Sequence, residues 1–221
     1  MRKIAVIGMS SFGYFLCRAM AEQKLSVIAI DSNENKVDEV KPFVDKAIIA
    51  DATDKGVLES LSLSGVDVVV VSLGEKIDAS ILVTYYLREL GVKEIIAKAI
   101  SEDHAKILNI VGASQVIFPE KDMADRLANI LERSSILDYF EIAEGYSIVE
   151  IAPPAPFVNR TLADLDLRNR YNVQVIMIKE IVPERITVVP KATQLIKESD
   201  VLVLLGRDED LDRLQQIQIR E

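Results

Sequence analysis

A chain of 221 residues, 49% of them hydrophobic, is long enough to bury one large core or two modest ones. Its 35 acidic residues against 26 basic ones give a net charge of -9, which argues against a nucleic-acid phosphate backbone as the main partner. The single cysteine, Cys17, excludes an intramolecular disulfide framework, and no apolar run approaches the roughly 20 residues that a membrane-crossing helix needs.

Arg2 and Lys3 precede a short apolar run that ends in a glycine, without the longer apolar stretch and small-residue cleavage site of a secretory signal. The run is expected to be the first strand, and the protein is expected to be cytoplasmic. Strand-length apolar runs cover 3–7, 26–30, 46–50, 66–72, 94–99 and 115–118, with amphipathic stretches of helical length at 12–23, 33–41, 54–62, 76–90 and 102–111 between them. Six strands alternating with five helices predict an α/β fold with a Rossmann-like doubly wound parallel sheet. After Pro119, the spacing of Met123, Leu127, Ile130 and Leu131 gives one more helix an apolar face, while Asp125, Arg126, Glu132 and Arg133 point elsewhere. Such a helix suits a dimer or domain connector.

From about Asp138 the pattern changes. Strands are predicted at 146–151, 173–178, 185–189 and 201–205, and helices near 161–169 and 208–217. Pro153, Pro154 and Pro156 force a loop after the first of these strands, because proline has no amide hydrogen for a ladder. The expected organisation is therefore an N-terminal domain over 1–137, connector helix included, and a small α+β domain over 138–221.

The turn Gly8-Met9-Ser10-Ser11-Phe12-Gly13 joins the first predicted strand to the first helix, where a dinucleotide fingerprint would place three small residues at positions 8, 10 and 13. Its middle glycine is Ser10 here, which narrows the approach of a phosphate but adds a hydroxyl donor. The free amides and positive dipole end of the helix still favour an anion, and a ligand-free tight turn is the alternative. Asp31 closes the second strand 18 residues after Gly13, where a carboxylate accepts both ribose hydroxyls and repels a 2'-phosphate. Either Asp31 or Ser32, next to Asn33, also suits the N-cap of the following helix. Asp51-Ala52-Thr53 ends the third strand, Ser72 and Gly74 end the fourth, and Lys98 ends the fifth, all at the sheet edge where ligands of open α/β sheets bind. Asp51 is a candidate for the adenine amino group.

Catalytic equipment is absent from this pattern. His104, the one histidine, falls in a helix where a solvated or capping position is expected, and no tyrosine is followed by a lysine four residues later. The protein is accordingly expected not to be an enzyme. An NAD-dependent oxidoreductase would need an acid–base pair, and an NAD(H)-sensing transcription regulator would need a basic recognition helix. The segments 168–170 and 213–220 are short and mixed in charge.

With these residues in view, the whole chain resembles the regulatory subunits of bacterial Ktr and Trk potassium-uptake systems, built from an RCK N-domain and an RCK C-domain. The resemblance rests on Pro119-Glu120-Lys121-Asp122-Met123, on Tyr146-Ser147-Ile148-Val149-Glu150-Ile151, and on Leu162…Leu165-Asp166-Leu167-Arg168…Tyr171. It implies homodimers assembling into an octameric ring beneath a membrane-embedded potassium channel or transporter, gated by an adenine nucleotide (ATP/ADP or NAD(H)). It also implies that Asp31 binds the ribose, that Asp51 lies on the adenine side, and that Lys98 contacts the ligand from the rim. Glu120 would hold a divalent or monovalent cation, a role that competes with first-turn helix stabilisation. Arg168 and Pro190 would mark a second effector site for cyclic di-AMP. Ktr-type subunits carry an arginine at the position of Ser11, so the phosphate end of the ligand stays open between ATP, ADP, NAD(H) and AMP-like molecules.

Overall fold

The computed structural model describes residues 2–132 and 136–215. Contacts divide the chain into two compact units, Met1–Lys121 and Asp122–Glu221.

In the first unit, strands β1 (Lys3–Ile7), β2 (Ser26–Asp31), β3 (Lys46–Ile49), β4 (Val68–Val71), β5 (Ile95–Lys98) and β6 (Gln115–Ile117) form one parallel sheet in the order β3-β2-β1-β4-β5-β6. The helices between them are α1 (Ser11–Glu22), α2 (Glu34–Val40), α3 (Lys55–Ser60), α4 (Ile77–Glu89) and α5 (Glu102–Val111). Every strand and helix expected here is found, with ends displaced by a few residues at most. The central strands are apolar on both faces because both are covered. Ala5, Ile7, Ile30, Val69 and Val71 pack with α3, α4 and α5 residues such as Leu58, Val83, Leu87 and Leu108, while Ile4, Val6, Val27, Ala29, Val68 and Val70 pack with Cys17, Met20 and Val40. This alternation divides β1 and β4 between the two cores, and β1 and β4 are also where the chain reverses its direction of growth across the sheet. Such a reversal opens a crevice at the carboxyl ends of the strands.

A sixth helix, α6 (Pro119–Glu132), straddles the unit boundary. The division by contacts falls within this helix. Met123, Leu127 and Leu131 on its apolar face are exposed, whereas Ile130 packs on the core of the second unit. That unit is a five-stranded antiparallel sheet in the order β10-β9-β11-β8-β7, made of β7 (Ile136–Ala143), β8 (Tyr146–Ile151), β9 (Gln174–Glu180), β10 (Arg185–Val188) and β11 (Val201–Arg207). Strand β7 was not anticipated. Register shifts at Ile136/Asp138 and Glu141/Ala143 break its alternation, and only Ile136 and Tyr139 along it are buried, so period-two patterning is weak. The single helix expected near 161–169 is two short ones, α7 (Leu162–Leu165) and α8 (Leu167–Tyr171), split where Asp166 turns left-handed at φ 47°. The last helix, α9, spans Asp208–Gln215, and residues 216–217 of its expected range lie outside the described residues. No helix among the described residues is long and apolar enough to cross a membrane.

Candidate functional site

The fingerprint turn is built by steric necessity. Gly8 adopts φ +95°, its amide donates to Ile30 O at 2.8 Å, and a Cβ there would sit 2.4 Å from Ser72 O. A Cβ on Gly13 would sit 2.1 Å from Gly8 O, so α1 can lie this close to β1 only with glycine at that position. Ser10, in place of the middle glycine, caps α1: its Oγ accepts from Gly13 N at 3.4 Å and shares a 2.7 Å hydrogen bond with Ser72 Oγ. The hydroxyl therefore ties the turn after β1 to the end of β4.

Asp31 ties the same turn to the end of β2. Its Oδ2 accepts the Met9 amide at 2.6 Å and its Oδ1 accepts the Asn33 amide at 2.8 Å. It is not the helix cap, and neither is Ser32; Asn33 caps α2, with its Oδ1 accepting from Lys36 N. Each Asp31 oxygen keeps a second lone pair for an incoming hydroxyl. Across the crevice, Asp51 Oδ1 accepts the Thr53 hydroxyl at 2.7 Å and the Thr53 amide at 2.9 Å. These two bonds hold the Asp51 carboxyl below its usual range, against desolvation and with help from the positive field of Lys76.

Together these elements enclose a crevice of about 310 Å³ at the carboxyl edge of the sheet. Gly8, Ser10, Asp31, Ser32, Asp51, Ala52, Thr53, Ser72 and Gly74 all line it. Six expected residues do not. Met9 contributes its amide while its side chain is buried against Cys17, whose thiol burial pushes up to about 12. Ser11 is the exposed first residue of α1, Gly13 is packed under Gly8, and Asn33 is engaged as a cap. Phe12 lines a separate apolar cavity of about 240 Å³ with Leu16, Met20, Val70 and Ile96. Lys98 is also elsewhere: buried to 7% exposure, it pairs with Glu120, and its ammonium lies 5.9 Å from the Phe12 ring centroid. Sequence reasoning missed Lys36, which lines the crevice from α2, and Glu75 and Lys76, which line it from the loop before α4. Charged residues in amphipathic stretches and loops look like ordinary solvated surface.

Glu120 thus has a lysine where a bound cation was expected. Desolvation raises its pKa, but the Lys98 hydrogen bond, its own amide and the Lys98 charge outweigh this and leave it lowered. Among the described residues, no group of three or more histidine, cysteine or carboxylate side chains is arranged to hold a metal. Arg168 lines two open cavities of the second unit, one of about 630 Å³ with Tyr146 and Arg207, one of about 200 Å³ with Leu162, Gln174 and Ala192. Pro190 lines neither.

His104 is not the solvated residue expected. It is 2% exposed, its Nε2 lies 2.7 Å from Ser80 Oγ, and its Nδ1 accepts the Ile100 amide at 3.4 Å. Because Ser80 Oγ donates to Ile77 O at 2.9 Å, Nε2 carries the proton and the ring is neutral; burial lowers its pKa further. This histidine is a satisfied core residue, outside the crevice lining. The crevice lining includes no histidine, tyrosine or cysteine.

A TrkA-N domain model matches residues 4–119, and a TrkA-C domain model matches residues 146–218. The chain is 39% identical over 214 residues to Ktr system potassium uptake protein C of Bacillus subtilis (strain 168), covering 97% of this chain and 96% of that protein. It is 34% identical over 214 residues to Ktr system potassium uptake protein A of the same organism, with the same coverages of 97% and 96%. Among solved structures, the crystal structure of the GsuK RCK domain superposes with a TM-score of 0.68 at 21% identity, over 100% of this chain and 48% of that one. The GsuK channel bound to NAD superposes with a TM-score of 0.67 at 20% identity, over 98% of this chain and 39% of that one. This chain therefore spans less than half the length of those two solved chains, and at such identities the likeness concerns the fold.

Proposed function

The chain belongs to the family of bacterial Ktr and Trk potassium-uptake proteins with TrkA-N and TrkA-C domains, and from that premise we propose that it is a regulatory subunit that senses an adenine nucleotide and gates a membrane-embedded potassium transporter. The observation that carries this is the crevice at the β1/β4 reversal. In this reading Asp31, at the end of β2, and Asp51, just after β3, take the adenosine, and the fingerprint turn at the start of α1 takes the phosphate. Its lining includes no histidine, tyrosine or cysteine, and in this reading ligand binding serves as a signal.

A signal of this kind acts by differential affinity. The nucleotide shifts the subunit between two conformations only insofar as it binds one better, and about 1–3 kcal/mol of coupling per site suffices when several sites act on one gate. Assembly as homodimers in a ring on the inner face of the membrane would supply that multiplicity. The exposed Met123, Leu127 and Leu131 of α6 are a self-association surface in this reading. Cyclic di-AMP at the second unit is a further candidate effector, with Arg168 as its expected contact.

The test is a thermal-shift screen of the purified protein against ATP, ADP, AMP, NAD, NADH and cyclic di-AMP, with and without a divalent cation, coupled to mass determination in solution. A shift with an adenine nucleotide in a particle of dimer or octamer mass supports the proposal. No shift with any adenine nucleotide overturns it.

A further inference from the structure

Five charged side chains line the crevice, the carboxylates of Asp31, Asp51 and Glu75 and the ammonium groups of Lys36 and Lys76. Both oxygens of Asp31 already accept backbone amides, and Asp51 accepts from Thr53. By contrast, neither Lys36 nor Lys76 makes an ion pair among the described residues, and both line the space. The turn from Gly8 to Gly13 has no cationic side chain of its own.

The position of Lys76 follows from the contacts beneath it. Ser72 Oγ is bonded to Ser10 Oγ at 2.7 Å, and a Cβ on Gly74 would lie 3.8 Å from the Ser10 Cβ. The loop after β4 is thus laid directly against the start of α1. Lys76 follows Gly74 by two residues, where Lys76 N donates to Leu73 O and closes the loop into a turn. Lys76 and Asp51 line the same crevice. Lys36 enters the same lining from α2.

Resting on the adenine-nucleotide reading above, we propose that Lys76 is the phosphate-binding cation of this site. It closes over the ligand from the β4 side, so that the site selects adenosine phosphates over adenosine. A single ammonium on a flexible stem contacts phosphate as a point charge, without the fixed bidentate geometry of a guanidinium. Selection by Lys76 is therefore for negative charge near the fingerprint turn.

The experiment is calorimetric titration of the full chain with ADP and with adenosine, using wild type, Lys76→Ala and Lys76→Arg. Wild type is expected to bind ADP more tightly than adenosine. Lys76→Ala is expected to lose about 10- to 100-fold in ADP affinity, with adenosine affinity changed less than about two-fold, and Lys76→Arg to keep most of the ADP affinity. Unchanged ADP affinity in Lys76→Ala overturns the proposal, as does an equal loss for ADP and adenosine. Wild type that binds neither compound instead removes the adenosine reading on which the proposal rests. Since the Lys76 side chain is exposed, unfolding temperatures of the three proteins are expected to agree, and this separates lost contact from lost fold.

Discussion

Replacing Asp31 by alanine removes two things at once, and the structure separates their sizes. The first is a clamp: Met9 N–H loses its acceptor at 2.6 Å in a partly buried place, while Asn33 N–H loses one at 2.8 Å but lies where water replaces it. Leaving the Met9 amide unsatisfied costs about 1–3 kcal/mol, which corresponds to a fall in unfolding temperature of roughly 3–12 °C for a unit of this size. The second is the ligand contact. A carboxylate accepting two ribose hydroxyls contributes about 3 kcal/mol in sum, or roughly 100-fold in affinity. Calorimetric titration with adenosine at about 15 °C, well below the usual unfolding range of such domains, measures the second loss, and a melting curve without ligand measures the first. The Asp31→Ala variant is expected to fold, to melt earlier, and to bind adenosine at least about 100-fold more weakly. Adenosine affinity equal to wild type would refute the ribose assignment, and an unchanged melting temperature would refute the clamp.

His104 makes stability depend on pH. Its folded pKa is depressed below 6.5, so the unfolded chain takes up its proton first on acidification; stability is complete above about pH 6.5 and falls as pH drops below it. Melting temperatures compared at about pH 7.5 and about pH 5.5 should show this loss in wild type and a smaller one in His104→Leu, whatever the absolute stability of the variant. Gly13→Ala should lower the melting temperature by an amount equivalent to more than about 2 kcal/mol, well beyond a typical surface change, since its Cβ would stand 2.1 Å from Gly8 O; a melting temperature matching wild type would contradict the packing. In the second unit, Arg126 holds Asp138 through two bonds of 2.7 Å and stacks over Phe140. With the pair about a third exposed, Arg126→Ala should cost about 1–2 kcal/mol by denaturant unfolding. The Arg126 hydrogen bond lowers the Asp138 pKa below 3.8, so this contribution is present above that pH and lost as pH falls through the folded value; the variant should accordingly show a shallower acid limb.

The parallel sheet was legible because its strands are buried on both faces and read as unbroken apolar runs, and because Gly8 and Gly13 mark a turn that only glycine can make. Asp31 was legible as well, since a carboxylate that closes a buried apolar strand must emerge at the sheet edge, where its charge is solvated or paired. Strand β7 was not, since two register shifts erase its alternation. Asp166 hid the break between α7 and α8, because a left-handed residue other than glycine leaves no mark in the pattern. Lys98 shows that strand ends are not equivalent. The crevice opens at the reversal between β1 and β4, and β5 lies one strand beyond it, where Lys98 meets Glu120 from α6 instead. The burial of His104 leaves no mark in the local pattern, because its partner Ser80 lies 24 residues earlier, on a different helix. Lys36 and Lys76 show the same limit from the other side: a lysine's role depends on which wall it stands on, and only the assembled crevice shows that.

The central claim is that nucleotide occupancy of this crevice changes potassium flux. The most direct measurement is rubidium or potassium uptake into vesicles containing the Ktr-type membrane subunit with this protein bound, titrated with ATP and with ADP, for wild type and Asp31→Ala. Coupled gating requires uptake to differ at least about five-fold between nucleotide-bound and nucleotide-free wild type, and requires the difference to vanish in Asp31→Ala. Uptake that is the same with and without nucleotide, in a complex shown to bind it, would contradict the claim.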